Sequence, residues 1–221
     1  MPRERELHDK YFKLAKQEGY VARSAYKLLE IQERKQVLRR GNWVLDVGCA
    51  PGSWLQVASK IVGDNGRIVG IDLQEVTIPP LANVRTAVAD AFATSPATLL
   101  AMVNGEPPAP APGEEHLPPP PHQLFDVVLS DMAPSTTGTP MSDHFRSVDC
   151  CRRVMTLAES VLAPGGKLVM KVFEGESYPD LLKDVQLLFR EIKGLRPDAV
   201  RDLAREIFIM GFGYRMYAGK R

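Results

Sequence analysis

Lys171 stands inside an apolar run, GGKLVMKVF, with Met170 and Val172 on either side. An ammonium there is costly unless it is paired or put to use, so the position points to a functional amine rather than a surface lysine. Two carboxylates stand at comparable places: Asp131 directly follows the apolar run Phe125–Ser130, and Glu206 opens the run EIFIMGF. An amine and carboxylates brought to one point can move a proton and hold a substrate group while it reacts. Three further aspartates, Asp46, Asp72 and Asp90, close three successive short apolar runs. Their oxygens only accept hydrogen bonds, which suits the hydroxyls and amines of a bound nucleoside.

The elements that must position these residues follow from the spacing. Short apolar runs recur as Trp43–Val47, Arg67–Leu73, Val84–Ala89, Phe125–Ser130, Lys167–Phe173 and Glu206–Phe212, most of them separated by helix-length segments such as 53–62, 143–163 and 178–191. That alternation predicts a doubly wound, mostly parallel sheet with helices on both faces. Strand-terminal residues then share one sheet edge, where such folds bind ligands. Residues 5–40 read as helix, with an apolar stripe of Tyr20, Ala25, Leu28, Leu29 and Ile31.

The segment VLDVGCAPGSW, residues 44–54, reads as a strand, a glycine-bearing turn and a helix start. Gly48 and Gly52 let the backbone turn tightly and approach a ligand, while Asp46 can meet a cationic amino group. Asp72 lies 20 residues after Gly52 and is placed to accept both ribose hydroxyls of an adenosine; Asp90 is placed to reach the adenine amine. Ala50 and Pro51 depart from the dinucleotide fingerprint G-x-G-x-x-G. These residues alone leave a nicotinamide dinucleotide and S-adenosylmethionine both open.

The chain has 221 residues, of which 44% are hydrophobic, enough for one large domain. Its net charge of +1 hides a division: residues 1–40 carry 11 Lys and Arg against 6 Asp and Glu, and residues 193–221 carry 7 against 3. Basic ends brought together form a face for phosphate. No apolar run reaches the roughly 20 residues of a membrane span, and the charged N-terminus does not read as a signal peptide, so a cytoplasmic protein is expected. Cys49, Cys150 and Cys151 lack the spacing of a metal site, and no metal is expected. Residues 105–122 hold 8 prolines and read as an exposed insertion.

From RSAYKLLEI to REIFIMG, insertion aside, the chain resembles the RrmJ/FtsJ family of ribosomal RNA ribose 2′-O-methyltransferases. The motifs DVGCAPGSW, LSDMAPSTTGTP, APGGKLVMKVFEGE and REIF occur in the family's order and spacing. The resemblance implies S-adenosylmethionine as cofactor and a Rossmann-like methyltransferase fold, an α/β sheet of seven strands with the last antiparallel. It implies a catalytic set of Lys27, Asp131, Lys171 and Glu206. It also implies cofactor contacts from Gly52, Trp54, Asp72, Asp90 and Asp131, beside Asp46 and Gly48 read above. An antiparallel last strand accounts for Glu206, because its first residue lies at the edge where parallel strands end.

Removing a proton from a ribose 2′-hydroxyl needs a base, and Lys171 is assigned that role. Lys27 and partial desolvation are expected to favour its neutral form, while Asp131 orients it and Glu206 bonds the lysine network or the ribose. Residues 1–40 then form a basic helical extension serving RNA and the active site, and residues 41–221 the methyltransferase domain. Arg23, Arg34, Lys35, Arg201 and Arg205 are the expected RNA contacts. Phe208 stands where the family carries tyrosine, and serves either core packing or base stacking; Val21 replaces an arginine. The expected substrate is a uridine of large-subunit ribosomal RNA, and the expected state a monomer. The alternatives are transfer RNA, a messenger cap, or a non-catalytic RNA-binding module. A base-amino methyltransferase would need an Asn/Asp-Pro-Pro-aromatic turn, which SDMAPS lacks, and an oxidoreductase would not need the Lys-Asp-Lys-Glu set.

Overall fold

The computed structural model describes residues 2–105, 123–134, 137–198 and 206–216. Seven strands form one sheet: β1 Trp43–Val47, β2 Arg67–Asp72, β3 Val84–Val88, β4 Phe125–Ser130, β5 Leu162–Phe173, β6 Phe189–Leu195 and β7 Glu206–Tyr214. Their spatial order is β3-β2-β1-β4-β5-β7-β6, and β7 alone runs against its neighbours. The helices are α1 Pro2–Gln17, α2 Ala25–Lys35, α3 Ser53–Val62, α4 Pro96–Asn104, α5 Pro140–Val161 and α6 Tyr178–Leu188.

Two apolar layers sandwich the sheet, and the period of two along each strand divides residues between them. Leu45, Val69 and Met170 pack with α4, α5 and α6 on one face. Val44, Ile68, Val169, Phe208 and Met210 pack with α2 and α3 on the other. The central strands are therefore buried on both sides, which is why they read as unbroken apolar runs.

Two expectations are corrected. Residues 5–40 are two helices rather than one. Gly19 takes φ +74°, and Tyr20 N–H donates to Ala15 O at 2.8 Å, closing α1 with a left-handed cap before α2 begins. The stretch 178–191 ends as helix at Leu188 and continues as strand β6, whose charged edge sequence FREIKGL carries little apolar signal. At helix α4, Ser95 caps the start by accepting from Thr98 N–H, and Pro96 occupies the first position. The proline-rich stretch 106–122 lies outside the described residues, but its flanks are tied together. Asn104 accepts from Gln123 N–H at 3.0 Å and donates to Gln123 O at 3.2 Å.

Among the described residues, no helix is long and apolar enough to cross a membrane.

Candidate active site

Lys171 and Glu206 come from adjacent antiparallel strands. In the β5–β7 register Phe173 lies opposite Glu206, and Lys171 opposite Phe208. The period of two sets Lys171 on the face of Val169, and Glu206 on the face of Phe208 and Met210. That is the face covered by α2, where Lys27 sits among the buried residues. Asp131 arrives from the end of β4.

The four groups form one connected cluster. Lys171 Nζ lies 2.8 Å from Asp131 Oδ1 and donates to the Asp131 backbone oxygen at 2.7 Å. Lys27 Nζ lies 2.7 Å from Glu206 Oε2 and 3.4 Å from the same Asp131 Oδ1. Both lysines are buried, at 7% and 6% exposure, so their charges depend on these partners rather than on water. For Lys27, burial favours the neutral amine, but Asp131 and Glu206 outweigh it and hold the ammonium above its ordinary value. For Asp131, burial works against the charge, but Lys171 and then Lys27 hold the carboxyl below its ordinary value. Lys27 is thereby kept as a cation.

Beside this cluster lies a cavity of about 650 Å³, lined among others by Gly48, Asp72, Asp90, Phe92, Asp131 and Met132. Its volume suits a nucleoside-sized ligand. Asp72 accepts from Ala50 N–H at 3.0 Å and from Gln74 N–H at 2.9 Å, which fixes its carboxylate at the end of β2. Asp90 accepts from Phe92 N–H at 2.8 Å, and Arg153 on α5 holds that loop through Ala91 O and Thr94 O at 2.6 and 2.8 Å. Each carboxylate keeps acceptor capacity beyond these bonds. Asp72, Asp90, Gly48 and Asp131 thus lie where the sequence places them, on one sheet edge around one cavity.

The other expected cofactor contacts are placed differently. Asp46 is 1% exposed, and neither carboxylate oxygen has a hydrogen-bond partner. Burial above all, then the charges of Asp131 and Asp72, push its carboxyl well above the usual range. Trp54 is buried against α2, with its indole N–H donating to Ser24 O at 2.9 Å and its ring 5.7 Å from Phe208. It joins α2 to α3 and does not line the cavity. Gly52 has φ +115°, and a Cβ there would meet Val76 and Ile78 side chains at 2.9 Å; at Gly48, with φ +82°, it would meet the Met132 backbone at 2.9 Å. At both, glycine makes room for the protein's own loops.

Several cavity residues escaped the sequence reading. Arg146, Asp149 and Cys150 line it from α5, and Leu73, Gln74, Phe92 and Pro134 from loops. The positions 146, 149 and 150 share a helix face, but nothing in the sequence says which face of α5 meets a ligand.

Of the expected RNA contacts, Arg201 and Arg205 lie outside the described residues. Arg34 is engaged within the protein, 2.8 Å from Glu30 and 3.4 Å from Asp198. Arg23 and Lys35 are half-buried on the same segment. Phe208 is fully buried, so core packing is its role, and it offers no face for a base.

Residues 20–214 match the FtsJ-like methyltransferase family. The chain is 41% identical over 209 residues to ribosomal RNA large subunit methyltransferase E of Syntrophobacter fumaroxidans, covering 95% of this chain and 97% of that one. It is 40% identical over 204 residues to the protein of the same name from Desulfatibacillum aliphaticivorans, covering 92% and 89%. Among solved structures, a ribosomal RNA methyltransferase structure from Plasmodium falciparum superposes with a TM-score of 0.72 at 24% identity, covering 88% of this chain and 98% of that one. Fibrillarin of Aeropyrum pernix, solved with S-adenosylmethionine, gives 0.54 at 20% identity, covering 85% and 76%. These two likenesses speak for the fold alone.

Proposed function

The chain belongs to the FtsJ-like methyltransferase family, and we propose that it transfers a methyl group from S-adenosylmethionine to a ribose 2′-hydroxyl of large-subunit ribosomal RNA, at a uridine. The observation that carries this reading is the meeting of Lys27, Lys171 and Glu206 around Asp131, beside a cavity edged by Asp72 and Asp90.

Asp72 is suited to the ribose hydroxyls of the cofactor, Asp90 to its adenine amine, and Phe92 to the adenine face. S-adenosylmethionine, when bound, supplies an electrophilic methyl group. The remaining task is to align the ribose hydroxyl with that methyl and take its proton.

Lys171 is the base in this reading. The base form of a lysine, the neutral amine, has two hydrogens and one lone pair, and Asp131 offers Lys171 two acceptors for that form, the carboxylate oxygen and the backbone oxygen. Both hydrogens are then committed, and the lone pair is left for the hydroxyl proton. Lys27 remains an ammonium between Glu206 and Asp131. Asp131 orients both amines, and Glu206 holds Lys27 in place.

RNA reaches the site in this reading over the positively charged N-terminal segment. Lys35 and Arg23 contribute phosphate contacts, and Arg34 acts mainly by fixing the chain at Asp198. The direct test is in vitro methylation of purified large ribosomal subunits lacking the modification, with transfer RNA and capped RNA as parallel substrates and the modified ribose mapped. Methylation of one uridine of the large-subunit RNA supports the proposal; preference for either other RNA overturns the substrate assignment.

A further inference from the structure

The outer end of the strand that carries Lys171 is gripped by one face of α5. Cys151 Sγ–H donates to Lys171 O at 3.1 Å, and Ser147 Oγ accepts from Phe173 N–H at 3.0 Å while donating to His144 O at 2.7 Å. His144 Nδ1 lies 2.6 Å from Phe173 O, and its Nε2 lies 3.0 Å from Ser177 N. A backbone N–H can only donate, so Nε2 accepts from Ser177, and Nδ1 donates to Phe173 O. The ring bridges the last strand residue and Ser177, the N-cap residue of α6. Positions 144, 147 and 151 lie on one helix face.

This arrangement differs from apolar packing. His144 and Ser147 are 3% and 2% exposed, at positions where an aliphatic side chain would bury surface without needing any partner. Their polar atoms instead complement the main chain at the exit of β5. Gly175 completes the fit, because a Cβ there would stand 2.4 Å from the His144 ring. Phe173, the residue so held, lies opposite Glu206 in the β5–β7 register and two residues beyond Lys171. Past Phe173 the strand ends, and the grip by α5 takes over from the sheet ladder in fixing the main chain.

We infer that His144 is a positioning residue for methyl transfer, which, bridging Phe173 O and Ser177 N–H, holds the ends of β5 and β7 where Lys171 and Glu206 must stand. It touches neither cofactor nor substrate and acts through the backbone. This inference rests on the reading that Lys171 and Glu206 act in the transfer. Small displacements matter at such a site, because the reacting oxygen, the methyl carbon and the base must keep their alignment.

The test compares the full-length wild-type protein with His144→Phe, His144→Gln and Ser147→Ala, using large ribosomal subunits and S-adenosylmethionine. The readouts are kcat, KM for each substrate, and hydrogen exchange of the backbone around Ser177. His144→Phe should lower kcat by about tenfold or more with KM values nearly unchanged, and should speed exchange at Ser177. His144→Gln, whose amide both donates and accepts, should recover most of the loss. A folded His144→Phe with wild-type kcat overturns the inference, as does an equal loss in the glutamine variant. If His144→Phe does not fold, Ser147→Ala decides: it removes the bond to Phe173 N–H, and an unchanged kcat overturns the inference while a lowered kcat supports it. Lys171→Ala run in parallel separates the two claims. Its inactivity beside a wild-type His144→Phe sinks the positioning role alone, whereas its activity sinks the reading of Lys171 and this inference with it.

Discussion

Lys27 and Glu206, 179 residues apart in the chain, meet at 2.7 Å because β7 runs antiparallel and brings its first residue under α2. Replacing Glu206 with Gln leaves a buried ammonium with Asp131 as its sole charged partner among the contacts described. The expected cost is about 1–3 kcal/mol of stability together with a large fall in methyl transfer. Denaturant unfolding and transfer assays on one preparation check both; an unchanged midpoint would show that the pair contributes nothing to the fold.

Asp46 offers a test with a definite sign in pH. Its folded carboxyl sits well above the ordinary value near 3.8, mainly through burial and secondarily through Asp131 and Asp72. The folded state therefore holds that proton more tightly than the unfolded chain. The contribution to stability is full below pH of about 3.8 and is lost as pH rises toward the folded value. Asp46→Asn removes this slope and should stabilise the protein relative to wild type near neutral pH, with the difference shrinking in acid. Thermal melts across pH measure it. Weakened S-adenosylmethionine binding in Asp46→Asn would instead restore the sequence expectation that this residue meets the cofactor's amino group.

Asp72→Ala should weaken S-adenosylmethionine binding about tenfold or more, since it removes the proposed partner of two ribose hydroxyls and frees the Ala50 and Gln74 amides that the carboxylate holds. Calorimetry with and without chelator reads the affinity. Wild-type affinity in the variant would move the cofactor away from the β2 end of the cavity, and loss of wild-type binding on chelation would contradict a metal-free site.

Residues 106–121 should be removable with a short flexible link in their place. Asn104 and Gln123 already pair through two hydrogen bonds, so the loop closes on a fixed base. The shortened protein should melt within a few degrees of the parent, roughly 1 kcal/mol or less. A collapse of stability would show that the insertion packs on the domain.

Much of this site was legible because burial and chemistry conflict at single positions. Lys171 announced itself as a charge inside an apolar strand, and Asp72 and Asp90 as carboxylates closing strands. Lys27 carried no such local signal and entered only through the family resemblance, because its helix face becomes an active-site wall only when β7 comes alongside. Asp46 and Trp54 sit in the same motif but are buried, which sequence position alone does not reveal, because strand register and helix phase decide it. His144 was invisible because its partners are backbone atoms 29 and 33 residues away, which no side-chain pattern encodes. Strand β6 was missed because an edge strand keeps its charged residues.

Single-turnover methyl transfer to large ribosomal subunits by Lys171→Arg tests the central claim most directly. Arginine offers donors to Asp131 but cannot accept a proton at working pH. If Lys171 takes the hydroxyl proton, the variant should bind S-adenosylmethionine and the subunit normally and lose about 10²-fold or more in rate, close to Lys171→Ala. A rate near wild type in Lys171→Arg would contradict the base role and leave Lys171 as a cation that positions its partners.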